Sequence, residues 1–72
     1  MTAIDTLSAV ALLEDLPEHG LVRGQVGTVV ENWAPGVYEV EFCNAGGKTY
    51  AKAALKADHV IVLRRQPMRR TA

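Results

Sequence analysis

The chain has 72 residues, 49% hydrophobic and 22% charged, with a formal net charge of zero. That length allows one domain with a single small core, which buries about 60% of the surface its unfolded chain exposes. No apolar run reaches bilayer length, and the opening MTAIDTLSAVALLEDLPE has no basic n-region, so the expectation is a cytoplasmic protein without a signal peptide.

Residues 1 to 7 carry little pattern and are expected to fray or lie along the surface. Ser8 to Leu16, SAVALLEDL, reads either as a helix capped by Ser8 or as a buried strand. The strand is preferred, because Pro17-Glu18-His19-Gly20 is turn chemistry immediately after it. Gly20 to Gly24 is a loop holding the apolar pair Leu21-Val22. Gln25 to Trp33 reads as a strand with Val26, Thr28 and Val30 facing the core and Gly27, Val29 and Glu31 on the other face. Gly27 within it implies a bulge, a tight bend or the close approach of another backbone.

Ala34-Pro35-Gly36 is a turn of type II character: Pro fixes φ at the first central position and Gly supplies positive φ at the second. Val37 to Cys43 alternates cleanly, with Tyr38, Val40 and Phe42 inward and Val37, Glu39, Glu41 and Cys43 on the other face. Asn44 to Lys48 is a hairpin loop, since Asn and Gly tolerate left-handed backbone. Thr49 to Leu55 returns as a strand with Tyr50 as its main core residue, Lys56-Ala57-Asp58 makes a short turn of 3₁₀ type, and His59 to Leu63 is the last strand. Five short strands at roughly ten-residue spacing, separated by turn signals, indicate an all-β protein. At this length a five-stranded SH3-like small barrel fits best. The expected core is Val10, Leu12, Val26, Val30, Tyr38, Val40, Phe42, Tyr50, Leu55 and Ile61.

Charge is unevenly placed. Up to residue 63 there are four basic side chains (Arg23, Lys48, Lys52, Lys56) against eight acidic ones, leaving −4. The segment RRQPMRR adds Arg64, Arg65, Arg69 and Arg70 and restores neutrality. The organisation expected is thus a barrel domain over residues 1–63 and a basic, flexible tail over 64–72. The acidic body argues against a phosphate-gripping surface, which needs clustered positive charge.

The chemistry-bearing residues are few. Cys43 has no second cysteine with which to form a disulfide or a thiolate pair, and is expected to be a small buried or half-buried residue at a strand end. His19 and His59 have no spacing that brings them together with carboxylates, so a surface turn and a strand start are preferred to a metal site. Glu14, Asp15 and Glu18 around Pro17 read as solvated loop charges rather than an acid–base pair in a cleft. There is no Ser-His-Asp, Cys-His or phosphate-loop pattern, and GQVG and AGG lack the helix that a nucleotide cradle requires. The expectation is no enzyme activity, no cofactor and no metal. Trp33, the single tryptophan, either covers an open end of the barrel, as large rings usually sit mostly buried, or stands partly exposed in a binding patch.

The stretch GLVRGQVGTVVE resembles the RGxxGxV core of KOW motifs, which occur in SH3-like barrels of ribosomal and transcription-elongation proteins. More of the chain is similar to a family of small bacterial proteins with a domain of unknown function. The matching pieces are Val10 to Glu31, Pro35 to Phe42, Gly47 to Ala51 and Leu55 to Leu63, over about residues 8 to 63. This resemblance implies an SH3-like barrel with no established activity, carried on mobile gene cassettes, with an antitoxin, immunity-type or mobile-element accessory role.

Two functional expectations follow. The first is a protein-interaction module that forms a homo-oligomer or binds a bacterial protein partner, using Trp33 and exposed strand edges. The alternative is KOW-like nucleic-acid binding through Arg23 in the RGQVG loop and the tail residues Arg64, Arg65, Arg69 and Arg70, which the acidic body disfavours. No membrane partner is expected.

Overall fold

A computed structural model describes residues 4–63. Five strands, β1 (Ala9–Leu12), β2 (Val26–Ala34), β3 (Val37–Cys43), β4 (Thr49–Lys56) and β5 (Val60–Val62), form one antiparallel sheet in the order β4-β3-β2-β1-β5. Two 3₁₀ turns, Pro17–His19 and Ala57–His59, complete the elements. The all-β, five-stranded architecture expected from the sequence is therefore present. The sheet is not closed, because no ladder joins β4 to β5. Among the described residues no helix is long and apolar enough to cross a membrane.

Local chemistry explains the connections. β2 and β3 are joined by Pro35-Gly36 alone, with Ala34 opposite Val37. Gly36 has φ +76°, the positive value that the second central position of a type II turn demands. At the β3–β4 turn, the Asn44 side-chain Oδ1 accepts the backbone N–H groups of Gly46 (2.9 Å) and Lys48 (3.1 Å), an Asx arrangement that closes the loop from within. The long β1–β2 connection folds on itself through a bridge between Leu16 and Leu21, both buried. Leu21 thus belongs to the core rather than to a solvated loop, while its neighbour Val22 is exposed.

The core lies on one face of the sheet. It comprises Val10 and Leu12 of β1, Val29 of β2, Tyr38, Val40 and Phe42 of β3, Ala53 and Leu55 of β4, and Val60 of β5, with Leu16 and Leu21 from the long connection. Ile4 packs against it, and its N–H donates to the Tyr38 hydroxyl at 3.1 Å. The Leu7 N–H donates to the Val29 carbonyl. Residues 4 to 7 are therefore tied to the sheet rather than frayed from it.

Four expected core residues lie elsewhere. In β2 the inward residues are Gly27 and Val29, while Val26 is 51% exposed and Val30 half-buried. The cause is Gly27. A Cβ built on it would lie 2.6 Å from Val40 Cγ1 and 2.9 Å from the Phe42 ring, so side chains of β3 occupy the space that its hydrogen leaves. The backbone is approached by neighbouring side chains, not by another backbone. Beyond Val29 the register shifts before Glu31, and the alternation breaks. Tyr50 is exposed because Ala51, Ala53 and Leu55 are the inward residues of β4, and it stands at a register shift, between the pairs Phe42–Ala51 and Cys43–Thr49, without a direct partner. Ile61 faces outward because it pairs with Ala11, which turns Val60 and Val62 inward. Cys43 ends β3 as expected but is exposed rather than buried.

This packing predicts that Gly27→Ala destabilises the fold by about 1–3 kcal/mol, the usual cost of overpacking a filled core. Val26→Thr, on the outer face, should stay within about 0.5 kcal/mol of the parent. Urea unfolding midpoints of the two variants check the difference, and a silent Gly27→Ala would contradict the assigned face of β2.

Candidate functional site: the outer face of the sheet

The outer face is built from the residues that alternation removes from the core. Two kinds of surface meet there. One is an apolar row that crosses three strands. Val26 pairs with Ala11, and Ala11 pairs with Ile61, so the three lie side by side on β2, β1 and β5. Both ends of the row are about half exposed. Beside the start of β2, Gln25 Nε2 donates to the Tyr50 hydroxyl at 2.8 Å, which fixes the Tyr50 ring at the surface. Val26 and Ile61 thus flank the half-buried Ala11 on one face of the sheet.

The other surface is the acidic end at the β2–β3 hairpin. Glu31 and Glu39 are directly opposed across the ladder. Trp33 is 62% exposed, and its indole Nε1–H donates to Glu39 Oε1 at 2.9 Å. The ring therefore does not cover an open end of the fold; it stands on the surface, held by a carboxylate. The opposite polarity of partners occurs one step away, where Glu41 faces Lys52 across the β3–β4 ladder with Nζ and Oε2 3.7 Å apart.

Arg23 is exposed in the tight turn before β2. Its backbone N–H donates to Asp15 Oδ1 at 2.8 Å, so the local order of this turn is set by an acid. Arg23 lies apart from Trp33, on a different connection, and the structure does not bring the two together by any hydrogen bond. Arg64, Arg65, Arg69 and Arg70 lie outside the described residues. His59 Nε2 lies 3.4 Å from Glu14 Oε1 and 3.9 Å from Asp58 Oδ1, an exposed contact at the start of β5. Among the described residues no group of three or more His, Cys, Asp or Glu side chains is arranged to hold a metal ion. An apolar groove of about 560 Å³ runs beside β5, lined chiefly by Ile4, Val37, Ala57, Val60 and Val62.

Sequence reasoning missed the row Val26–Ala11–Ile61 because it placed Val26 and Ile61 inside. The available signal was Gly27. If a strand glycine is read as the place where neighbouring core side chains enter, Val29 follows inward and Val26 outward.

The fold and surface define a small all-β protein with an open sheet and an outer face that is part apolar and part acidic. The chain belongs to the family described as a domain of unknown function (DUF4926), whose model matches residues 6–62. No curated protein and no solved structure matches the chain.

Two outcomes follow from the acidic end. Glu31→Lys should stabilise the fold by about 0.2–1 kcal/mol by replacing a like-charged cross-strand pair with an opposite one, and added salt should shrink the gain; thermal unfolding at two ionic strengths measures both. Trp33 emission in the free body should be that of a solvent-exposed indole, open to quenching by acrylamide. A shielded, quencher-resistant Trp33 would contradict its exposed position.

Proposed function

We propose that this protein is a small β-sheet interaction module, not a catalyst, and that it associates with further copies of itself. The observation that carries this reading is the half-exposed apolar row Ile61–Ala11–Val26 on a sheet that hydrogen bonding leaves open. A 72-residue chain has little core to spare. Association adds to the stability of the folded form by mass action, which matters most for a core this small. Unpaired strand edges are the second support, since they offer backbone groups to an incoming strand. The resemblance of Val10 to Glu31 to a small bacterial family suggests, as a setting, an accessory role of the antitoxin or immunity type on mobile elements.

Nucleic-acid binding of the KOW type draws less support. Up to residue 63 acids outnumber bases two to one, and phosphate contacts depend on clustered Lys and Arg.

Light scattering behind size exclusion tests the proposal on the full chain at low and high salt. A discrete oligomer at both salts is the expected result, because an apolar contact is not screened. A monomer at every concentration would overturn self-association. Mass that falls as salt rises would move the contact from the apolar row to charged groups.

A further inference from the structure

The two edges of the open sheet differ. The β4 edge carries Lys52 and Lys56, and the 3₁₀ turn Pro17–His19 packs against that strand. Lysines on an edge and cover over it are the usual guards against strand addition. The β5 edge, Val60–Val62, carries no lysine: its three residues are Val, Ile and Val.

Among the described residues, no strand pairs with its outer side. Leu13 N–H donates to the His59 carbonyl and Leu63 N–H to the Ala9 carbonyl, while Ile61 sits opposite Ala11. Residues 59, 61 and 63 thus bond toward β1, and by the alternation of an antiparallel ladder the groups of Val60 and Val62 point away from it. Of these, Val60 N–H is already given to the Ala57 carbonyl. Val62 N–H and the carbonyls of Val60 and Val62 are left to the edge, beside the apolar groove lined by Val60, Val62, Val37 and Ala57.

We infer that this edge pairs antiparallel with β5 of a second copy, about a two-fold axis through Ile61. The inference rests on the self-association reading and specifies its interface. In this register Val62 N–H of each copy donates to the Val60 carbonyl of the other. Ile61 faces its own counterpart as a non-hydrogen-bonded pair, the closer of the two pair types. The apolar row of one copy then continues into that of the other, as Val26–Ala11–Ile61 followed by Ile61–Ala11–Val26. The inward side chains Val60 and Val62 of the second copy fall on the groove side. A C2 contact of this kind is self-complementary and closes at two copies.

The test uses the full chain with Cys43→Ser and Ile61→Cys. A cysteine on the axis faces itself, so a mild disulfide oxidant should convert the protein almost completely to a covalent dimer. A matched protein with Cys43→Ser and Lys52→Cys, on the other edge, should form almost none. In the parent background Ile61→Lys should shift the mass in solution to that of the monomer, with circular dichroism confirming the fold. Should Ile61→Lys fail to fold, the cross-linking comparison decides alone. An oligomer that cross-links no faster at 61 than at 52 would overturn the β5 pairing while leaving self-association standing. A parent protein that is monomeric throughout would overturn both. Cross-linking at 61 that needs prior removal of residues 1–3 would show that the chain's own start holds the edge, and would also overturn the pairing.

Discussion

The missing side chain of Gly27 is the constraint from which the rest of this structure follows. Val40 and Phe42, both fully buried, reach into the space where a Cβ would be. Their entry sets Gly27 on the core face of β2. Strand alternation then sends Val29 inward, against Val40 across the ladder, and Val26 outward. A one-residue change of parity would exchange the two faces along the strand. Through the pairing of Val26 with Ala11, and of Ala11 with Ile61, that single choice also decides which apolar side chains of β1 and β5 remain at the surface.

The surface that results is divided by the same ladder. At the β5 side it is apolar, and among the described residues no strand pairs beyond β5. At the β2–β3 hairpin it is acidic, with Trp33 standing on Glu39. Near β4 it is neutralised by the facing pair of Glu41 and Lys52. The exposed ion pair adds little stability on its own. Its effect, together with Lys56, is to leave β4 hydrated and β5 the easier edge to approach. Function on this reading needs no pocket and no reacting group; it needs only one strand edge and one apolar row kept free by the packing beneath them.

Much of the fold was legible in the sequence because turn chemistry and period two agreed. Pro35-Gly36 and Asn44 to Lys48 marked their turns, the alternation of Val37 to Cys43 gave the inward face of β3, and Lys56-Ala57-Asp58 fell close to the observed 3₁₀ turn at Ala57–His59. The site was less legible, for two physical reasons. Tyr50 and Val30 sit beside register shifts, and a shifted register breaks the periodicity on which face assignments depend. Ile61 and Val26 are β-branched residues on the outer face, and hydrophobicity alone cannot distinguish a core position from a surface one. For Trp33 the sequence leaves a ring over an open end of the barrel and an exposed ring as alternatives, and the carboxylate of Glu39, six residues along the chain and opposite Glu31 in space, is what holds the ring outside.

Residue-resolved amide hydrogen exchange over a dilution series tests the account most directly. The Ile61 amide, which faces β1, should be protected at every concentration that keeps the protein folded. The Val62 amide, which faces away from β1, should be protected only where the protein is concentrated, and should open on dilution as the second copy leaves. A Val62 amide that exchanges as freely in concentrated as in dilute solution would contradict the claim that this edge is where the molecule meets its partner.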